Sequence, residues 1–438
     1  MDVPQRCTVL VIGGGPAGSY PAAALAREGI DVVVLEADQF PRYHIGESTL
    51  PSLRQFFKFI DFYDAFNAHG FFHKACNYHA WLNRCLYTDF LAAGGPNGYA
   101  WNLIRSESDE LLLKHAETSG AQVFQTTRVE AIQFAPSTAT ALPLDSHAAI
   151  SSADRPISAT WSGKDSTTGN ISFEYLIDAS GRHGILSTKY LKNRKFNDNF
   201  KNIANWGYWS GCEMYGRGTH MHGAPYFEAL SDASGWCWFM PLHDGTCSVG
   251  IVQSQKLAME QKRQLGNPST CDFYKQALQL ASRTKRLLCS ASLVTSVKSA
   301  SDWSYTASTY HLPYARIAGD AGCFIDPLFS SGYHLAITTG LSAALTIAAS
   351  LRGEHDEQTA GSWHSKKTLE SYTRFYLAVG SAAKQIRGQD EPVLLDENNE
   401  GFQRAFDILR PSKPRRRAWI PARCISTLPS FIHIYPET

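Results

Sequence analysis

An α/β fold is predicted, with a mainly antiparallel sheet inserted into it and a helical region towards the C-terminus. Three observations carry this. First, CTVLVIGGGPAGSYPAAALAREGIDVVVLEA reads as an apolar strand, a glycine turn, an alanine-rich helix and a second apolar strand, a βαβ unit of ordinary size. Second, from Asn202 to Gln253 aromatic stretches alternate with Gly/Asp turns, the pattern of antiparallel strands. Third, beyond about Leu351 the apolar spacing is helical. At 438 residues the chain has room for two domains or one large, elaborated one.

Taken in order, the first helix contains Pro21, which is tolerated only in a first turn, where the N–H groups have no partner anyway. SDELLLKHAETSGAQVF, from Ser108, predicts a capped amphipathic helix running into a strand. Residues 135–168 are rich in Ser, Thr, Ala and Asp and predict a variable loop or hairpin. EYLIDASGR returns to a buried strand and a tight turn. ARIAGDAGCFIDPLFSSGYHLAITTGLSAALTIAASL predicts a strand, a long loop and an apolar helix. The run KPRRR, beside Pro411 and Pro414, reads as a solvated tail over 411–438.

Apolar residues make up 44% and charged residues 18%, and the net charge is +1. No global field recruits nucleic acid or anionic lipid, so neither partner is expected. Ten cysteines without a CxxC pair read as reduced thiols. TVLVIGGG is too short and too glycine-rich to span a membrane, and no secretory leader is read at Met1–Gln5, so a cytoplasmic protein is expected.

The glycine turn gives GxGxxG through Gly13, Gly15 and Gly18, with Gly14 and Ala17 between them, and Glu36 ends the next strand. That context is the one a dinucleotide fold requires. Gly13 permits the tight turn, Gly15 lets a pyrophosphate approach, and Gly18 lets helix and strand lie close. The helix N-terminus stabilises the phosphate charge, and Glu36 accepts from a ribose. These residues alone leave NAD and FAD open. DASGR, Asp178–Arg182, and GDAG, Gly319–Gly322, favour FAD, with Asp320 suited to ribityl hydroxyls.

This set resembles the flavoprotein family of aromatic hydroxylases over Val9 to about Leu351. The resemblance implies an FAD-binding Rossmann-like domain over 1–130, 171–200 and 300–350. A substrate-covering sheet domain over 201–299 and a helical region over 351–410 complete the expected plan. It also implies flavin contacts from Arg105, from Arg42 and Glu47 in PRYHIGEST, and from Tyr333. Within that superfamily, FIDPLFSSG carries F-x-x-P-x-x-S-x-G through Phe324, Pro327, Ser330 and Gly332. GWCWFMP carries W-x-W-x-x-P through Trp236, Trp238 and Pro241. Both patterns resemble flavin-dependent halogenases, and the chain is most similar to fungal members acting on phenolic polyketides. GGGPAGSY, PRYHIGES, RSESDELL and GDAGCFIDP all have counterparts there.

The resemblance implies chlorination of an electron-rich aromatic with FAD, used as FADH2 from a separate flavin reductase, O2 and chloride. Hypochlorous acid arises at a flavin C4a-hydroperoxide and is relayed to Lys74, which stands in HGF-x-x-K. The ammonium hydrogen-bonds it, or the neutral amine forms a chloramine; desolvation lowers the amine pKa and helps the second route. Backbone N–H groups of Ser331 and Gly332, at the start of the apolar helix, suit chloride, and the same groups equally describe a plain helix start. Trp236 and Trp238 alternate, so both indoles face one side of a strand. The resemblance makes them a barrier between flavin and substrate.

His73, His79, His243 and His334 are candidates by type for a base that ionises a phenol. Phe329 replaces the glutamate of the tryptophan-specific members. No metal is expected. An FAD-dependent aromatic hydroxylase is the alternative. A noncatalytic flavin- or ligand-binding relative is the second. The change at Cys76–His79 from a glycine- and alanine-rich run favours the latter, as does the expected lack of a longer helical continuation after ARCISTLPSFIHIYPET.

Overall fold

The computed structural model describes residues 2–81, 84–135, 154–219 and 221–387. The remainder of the predicted 351–410 region, the 411–438 tail and residues 136–153 lie outside the described residues.

Two large sheets build the molecule. The centre of the first is parallel, in the order Ala315–Ile317, Thr168–Asp178, Arg6–Ile12, Val32–Leu35, Gln122–Phe124. The strands Arg155–Gly163 and Thr127–Ala135 continue it antiparallel from Thr168–Asp178. The period-2 geometry of Arg6–Ile12 divides its side chains between two cores. Val9 and Val11 pack with the helices Pro16–Arg27 and Ser331–Leu351, whereas Leu10 and Ile12 pack on the opposite face.

The second sheet runs Ser292–Leu293, Arg194–Ser210, Thr246–Ser254, Gly235–Pro241, Tyr226–Ala229, Cys76–Trp81, Arg84–Asp89, and Lys298–Ala307 also pairs with Arg194–Ser210. The strands of 76–89 thus join it from far earlier in the chain. Phe72–Lys74, just before them, pairs separately with Ala100–Asn102. The helix Glu357–Arg387 packs along Ser331–Leu351. That inner helix is long and apolar enough to cross a membrane, but it is mostly buried, as a core helix is. The eight cysteines whose side chains are described are free thiols.

Two local expectations are corrected. Pro21 stands beyond the first turn of Pro16–Arg27. It cannot donate to the Ala17 carbonyl, and the facing helix presents Gly340 there. A Cβ on Gly340 would lie 2.9 Å from Pro21 Cδ and 3.1 Å from Ala17 O, so the helices meet closely where the proline sits. The helix expected from Ser108 starts at Arg105, with Ile104 as an N-cap that makes no side-chain hydrogen bond. Ser108 lies within its first turn. Arg105 is therefore held by helical geometry rather than by a preceding loop.

Candidate functional site

A cavity of about 750 Å³ is lined from both sheets, in the upper part of the ligand-pocket range. One end is the glycine turn. Gly13 has φ +101°, and a Cβ there would stand 2.4 Å from Ala179 O; a Cβ on Gly18 would stand 1.9 Å from Gly13 O. Only glycine fits these two positions. Gly15 faces the cavity, where an added Cβ would meet only Arg42 Nη2, at 3.3 Å. Glu36 Oε2 accepts from the Gly14 N–H at 2.5 Å and Oε1 from Asp38 N–H at 2.7 Å. An uncluttered helix N-terminus, a backbone open to close approach and an oriented carboxylate fit the pyrophosphate and ribose of a dinucleotide. Ala17 and Asp320 also line the cavity. Burial pushes the Asp320 carboxyl up to about 6, against the pull of Arg182, Arg105 and Arg194.

Beside this cradle lies a buried charge cluster. Arg105 donates from Nε and Nη2 to the two Asp109 oxygens, each at 2.8 Å, and Arg42 Nη1 donates to Asp109 Oδ2 at 3.0 Å. Burial works to raise the Asp109 carboxyl, but the two guanidiniums outweigh it and hold its pKa below the ordinary value. Arg105 also donates to Ile45 O at 2.9 Å and lies over the Tyr333 ring, 5.2 Å from its centroid. Its charge, aided by burial, pushes His44 down to about 4.

Glu47 is buried under the tryptophan strand Gly235–Pro241. It accepts from the Tyr208 hydroxyl and, at 3.0 Å, from Ser248 Oγ, which in turn accepts from Trp238 Nε1 at 3.1 Å. Burial pushes its carboxyl up to about 7, against both hydroxyls and Arg105. Trp236, Trp238 and Met240 share one face of the strand, while Cys237 and Phe239 enter another core. The two indole centroids are 5.8 Å apart, both rings are buried, and both line the cavity. Trp238 lies opposite Gly250, where a Cβ would be 2.2 Å from the indole. Gly250→Ala is therefore expected to displace the ring and to cost about 1–3 kcal/mol, as overpacking does; urea unfolding against the parent chain measures it.

Lys74 is fully buried. Its Nζ donates to Ser48 Oγ at 2.8 Å and lies 5.3 Å from the Phe90 ring centroid. Ser330 Oγ donates to the same Ser48 Oγ at 2.8 Å. Ser48 and Ser330 both line the cavity, so one hydroxyl joins the lysine to the cavity wall. Burial pushes the amine down to about 7. Ser330, at φ 56°, precedes the helix Ser331–Leu351 and does not cap it with its side chain. The first N–H groups of that helix have no partner within it. Gly332 faces the cavity, whereas the Ser331 side chain is buried beside it.

The predicted residues thus gather around one cavity, with Lys74 one hydroxyl behind its wall. Sequence alone does not mark Ser48; its place in GES, next to Glu47, is the available signal. None of the histidines considered as bases lines the cavity among the described residues. His73 stacks on Tyr99 with centroids 4.0 Å apart, and His334 Nδ1 bonds Ser52 Oγ at 2.7 Å. The His79 side chain lies outside what is described.

Residues 6–371 match the FAD binding domain family. The chain is 54% identical over 414 residues to the flavin-dependent halogenase ascD of Acremonium egyptiacum, covering 93% of this chain and 74% of the relative. It is 53% identical over 413 residues to the sulochrin halogenase gedL of Aspergillus terreus, covering 94% and 75%. Among solved structures, the flavin-dependent halogenase CmlS superposes with a TM-score of 0.75 at 27% identity, covering 92% of this chain and 70% of that one. The myxobacterial chondrochloren halogenase CndH shares the fold, with a TM-score of 0.73 at 24% identity over 94% and 99% of the two chains. With an FAD cradle at one end of its cavity and relatives at this identity, the chain belongs to the flavin-dependent halogenases.

Proposed function

We propose that the chain chlorinates an electron-rich phenolic aromatic of polyketide type, using FADH2 delivered by a separate reductase, O2 and chloride, and that Lys74 is its catalytic residue. The relatives support the substrate class, one of them being named a sulochrin halogenase; neither the hydroxylase nor the noncatalytic reading is favoured by them. Free thiols suit a cytosolic setting.

In this reading Gly13, Gly14, Gly15, Ala17, Gly18, Glu36, Arg42, Glu47, Arg105, Asp320 and Tyr333 hold the flavin. Bound FADH2 supplies the two electrons that let O2 oxidise the halide. Chloride sits at the N–H groups of Ser331 and Gly332, where the helix dipole favours an anion. Trp236 and Trp238 keep the organic substrate from the flavin end. The observation that carries the assignment is the Lys74–Ser48–Ser330 chain, a buried amine joined to the proposed halide turn by one hydroxyl. Among the described residues Ser48 is the hydrogen-bond acceptor given to Nζ, so the neutral amine, which has fewer N–H groups to satisfy, is the form this site suits.

The test is incubation with FAD, a flavin reductase, NADH, chloride or bromide, and a panel of phenols, scored by mass. A halogen isotope pattern is expected; a gain of one oxygen, or no product with any phenol, rejects the proposal. Ser48→Ala removes the acceptor shared by Lys74 and Ser330. It is expected to lower the halogenation rate about tenfold, in keeping with one hydrogen bond to an ionisable group, without altering flavin binding measured by fluorescence quenching.

A further inference from the structure

We propose that His69, Glu107 and His243 form a binding site for a late first-row divalent cation, represented by Zn²⁺. His69 Nε2 lies 2.7 Å and His243 Nε2 3.1 Å from the same oxygen, Glu107 Oε2, and the three donor atoms all fall within 4.8 Å of one another. Two imidazoles and a carboxylate are donors that zinc and its neighbours accept. Ligand atoms around a tetrahedral zinc stand about 3.3–3.6 Å apart, given bonds of about 2.0–2.2 Å, so side-chain adjustments of about an ångström suffice. The three side chains are 29%, 36% and 22% exposed, which leaves an entry path and an open position for water.

The rings are already oriented. Phe71 lies 4.4 Å from the His69 ring and, edge-on at 88°, 5.3 Å from the His243 ring, centroid to centroid. His243 Nδ1 is buried and makes no hydrogen bond, so that ring's polar outlet is Nε2, on the side of the cluster. This aromatic packing restricts both rings before the ion arrives.

The place of the cluster in the fold gives it a role. His69 follows the helix Tyr63–Ala68 and shortly precedes the lysine strand. Glu107 lies in the first turn of the helix that carries Arg105. His243 is two residues past the tryptophan strand. None of the three lines the large cavity. An ion here ties together the segments that carry the lysine, the buried arginine and the indole wall, and so stabilises their mutual placement by mass action.

The test uses the full chain, stripped with a chelator and titrated with Zn²⁺ alone by calorimetry. One equivalent is expected to bind and to raise the thermal unfolding midpoint. Co²⁺ in its place is expected to give visible d–d absorption that Zn²⁺ bleaches. His69→Ala and His243→Ala are each expected to weaken that equivalent at least tenfold. Should either variant fail to fold, diethylpyrocarbonate modification of the unmutated chain decides: Zn²⁺ is expected to protect His69 and His243, read by peptide mass. Failure to bind one equivalent, binding unchanged in both variants, or modification of both histidines unaffected by Zn²⁺ overturns the site.

Discussion

Replacing Lys74 by methionine is expected to cut halogenation by about 10²–10⁴-fold, the range for loss of a positioned proton-transfer or relay group, and at the same time to make the protein harder to unfold at neutral pH. The second effect follows from burial. The amine titrates near 7 in the folded chain and at the ordinary 10.5 when unfolded. Between those values the unfolded chain binds more protons, so the stability of the parent protein climbs as pH rises from about 7 to 10.5. Below about 7 the penalty is at its full size, on the order of 3–5 kcal/mol at about 1.4 kcal/mol per pH unit. Methionine keeps an apolar side chain in the site and removes that penalty. Urea midpoints at pH 7 and pH 9 should show the variant ahead at both and the gap smaller at pH 9. In the parent enzyme, the halogenation rate is expected to rise with an apparent pKa near 7, the neutral amine being the working form. A variant that chlorinates at the parent rate removes Lys74 from the mechanism, and one less stable at pH 7 removes the burial penalty on its amine.

Residues whose role is local could be read from sequence. The glycine turn is one case: the Cβ positions that would strike Ala179 O and Gly13 O require glycine at Gly13 and Gly18, and the spacing alone announces it. The strand Gly235–Pro241 is another. Two-residue periodicity is enough to put Trp236 and Trp238 on one face, and that face lines the cavity. What escaped depends on contacts distant in sequence. Ser48 matters because Lys74 and Ser330 converge on its hydroxyl from 26 and 282 residues away. Glu47 meets Ser248 across 201 residues. The joining of 76–89 to the second sheet depends on parallel pairing of Tyr78 with Tyr226, which no local pattern specifies. The place of Pro21 is illegible for the same reason: the glycine that faces it, Gly340, belongs to another helix. Residue type makes His243 a candidate base, yet its partners are Glu107 and Phe71.

Asp109→Ala is expected to be the most destabilising single change near the flavin cradle, at about 3–5 kcal/mol, because it strands a buried charge rather than removing a contact. Arg105 keeps its charge and, without Asp109, retains hydrogen bonds only to Ile45 O and His44 among the described residues, with the Asp320 and Glu47 carboxyls acting on it through space. Arg6 and Glu174 supply an internal comparison, since their N–O distance is 3.0 Å against 2.8 Å for Arg105 and Asp109. Their side chains are 73% and 42% exposed, against 8% and 0%. Arg6→Ala should therefore cost only about 0–1 kcal/mol and lose even that in high salt, whereas the Asp109→Ala deficit should persist there. The sign with pH follows from the lowered Asp109 pKa. The pair contributes its full stability above the ordinary carboxylate value and loses it as pH falls below that, so the gap between parent and Asp109→Ala should narrow in acid. Flavin affinity should drop with the pair, since Arg105 and Arg42 are both positioned by Asp109. If Asp109→Ala proved no more costly than Arg6→Ala, burial would not be what sets the strength of this cluster.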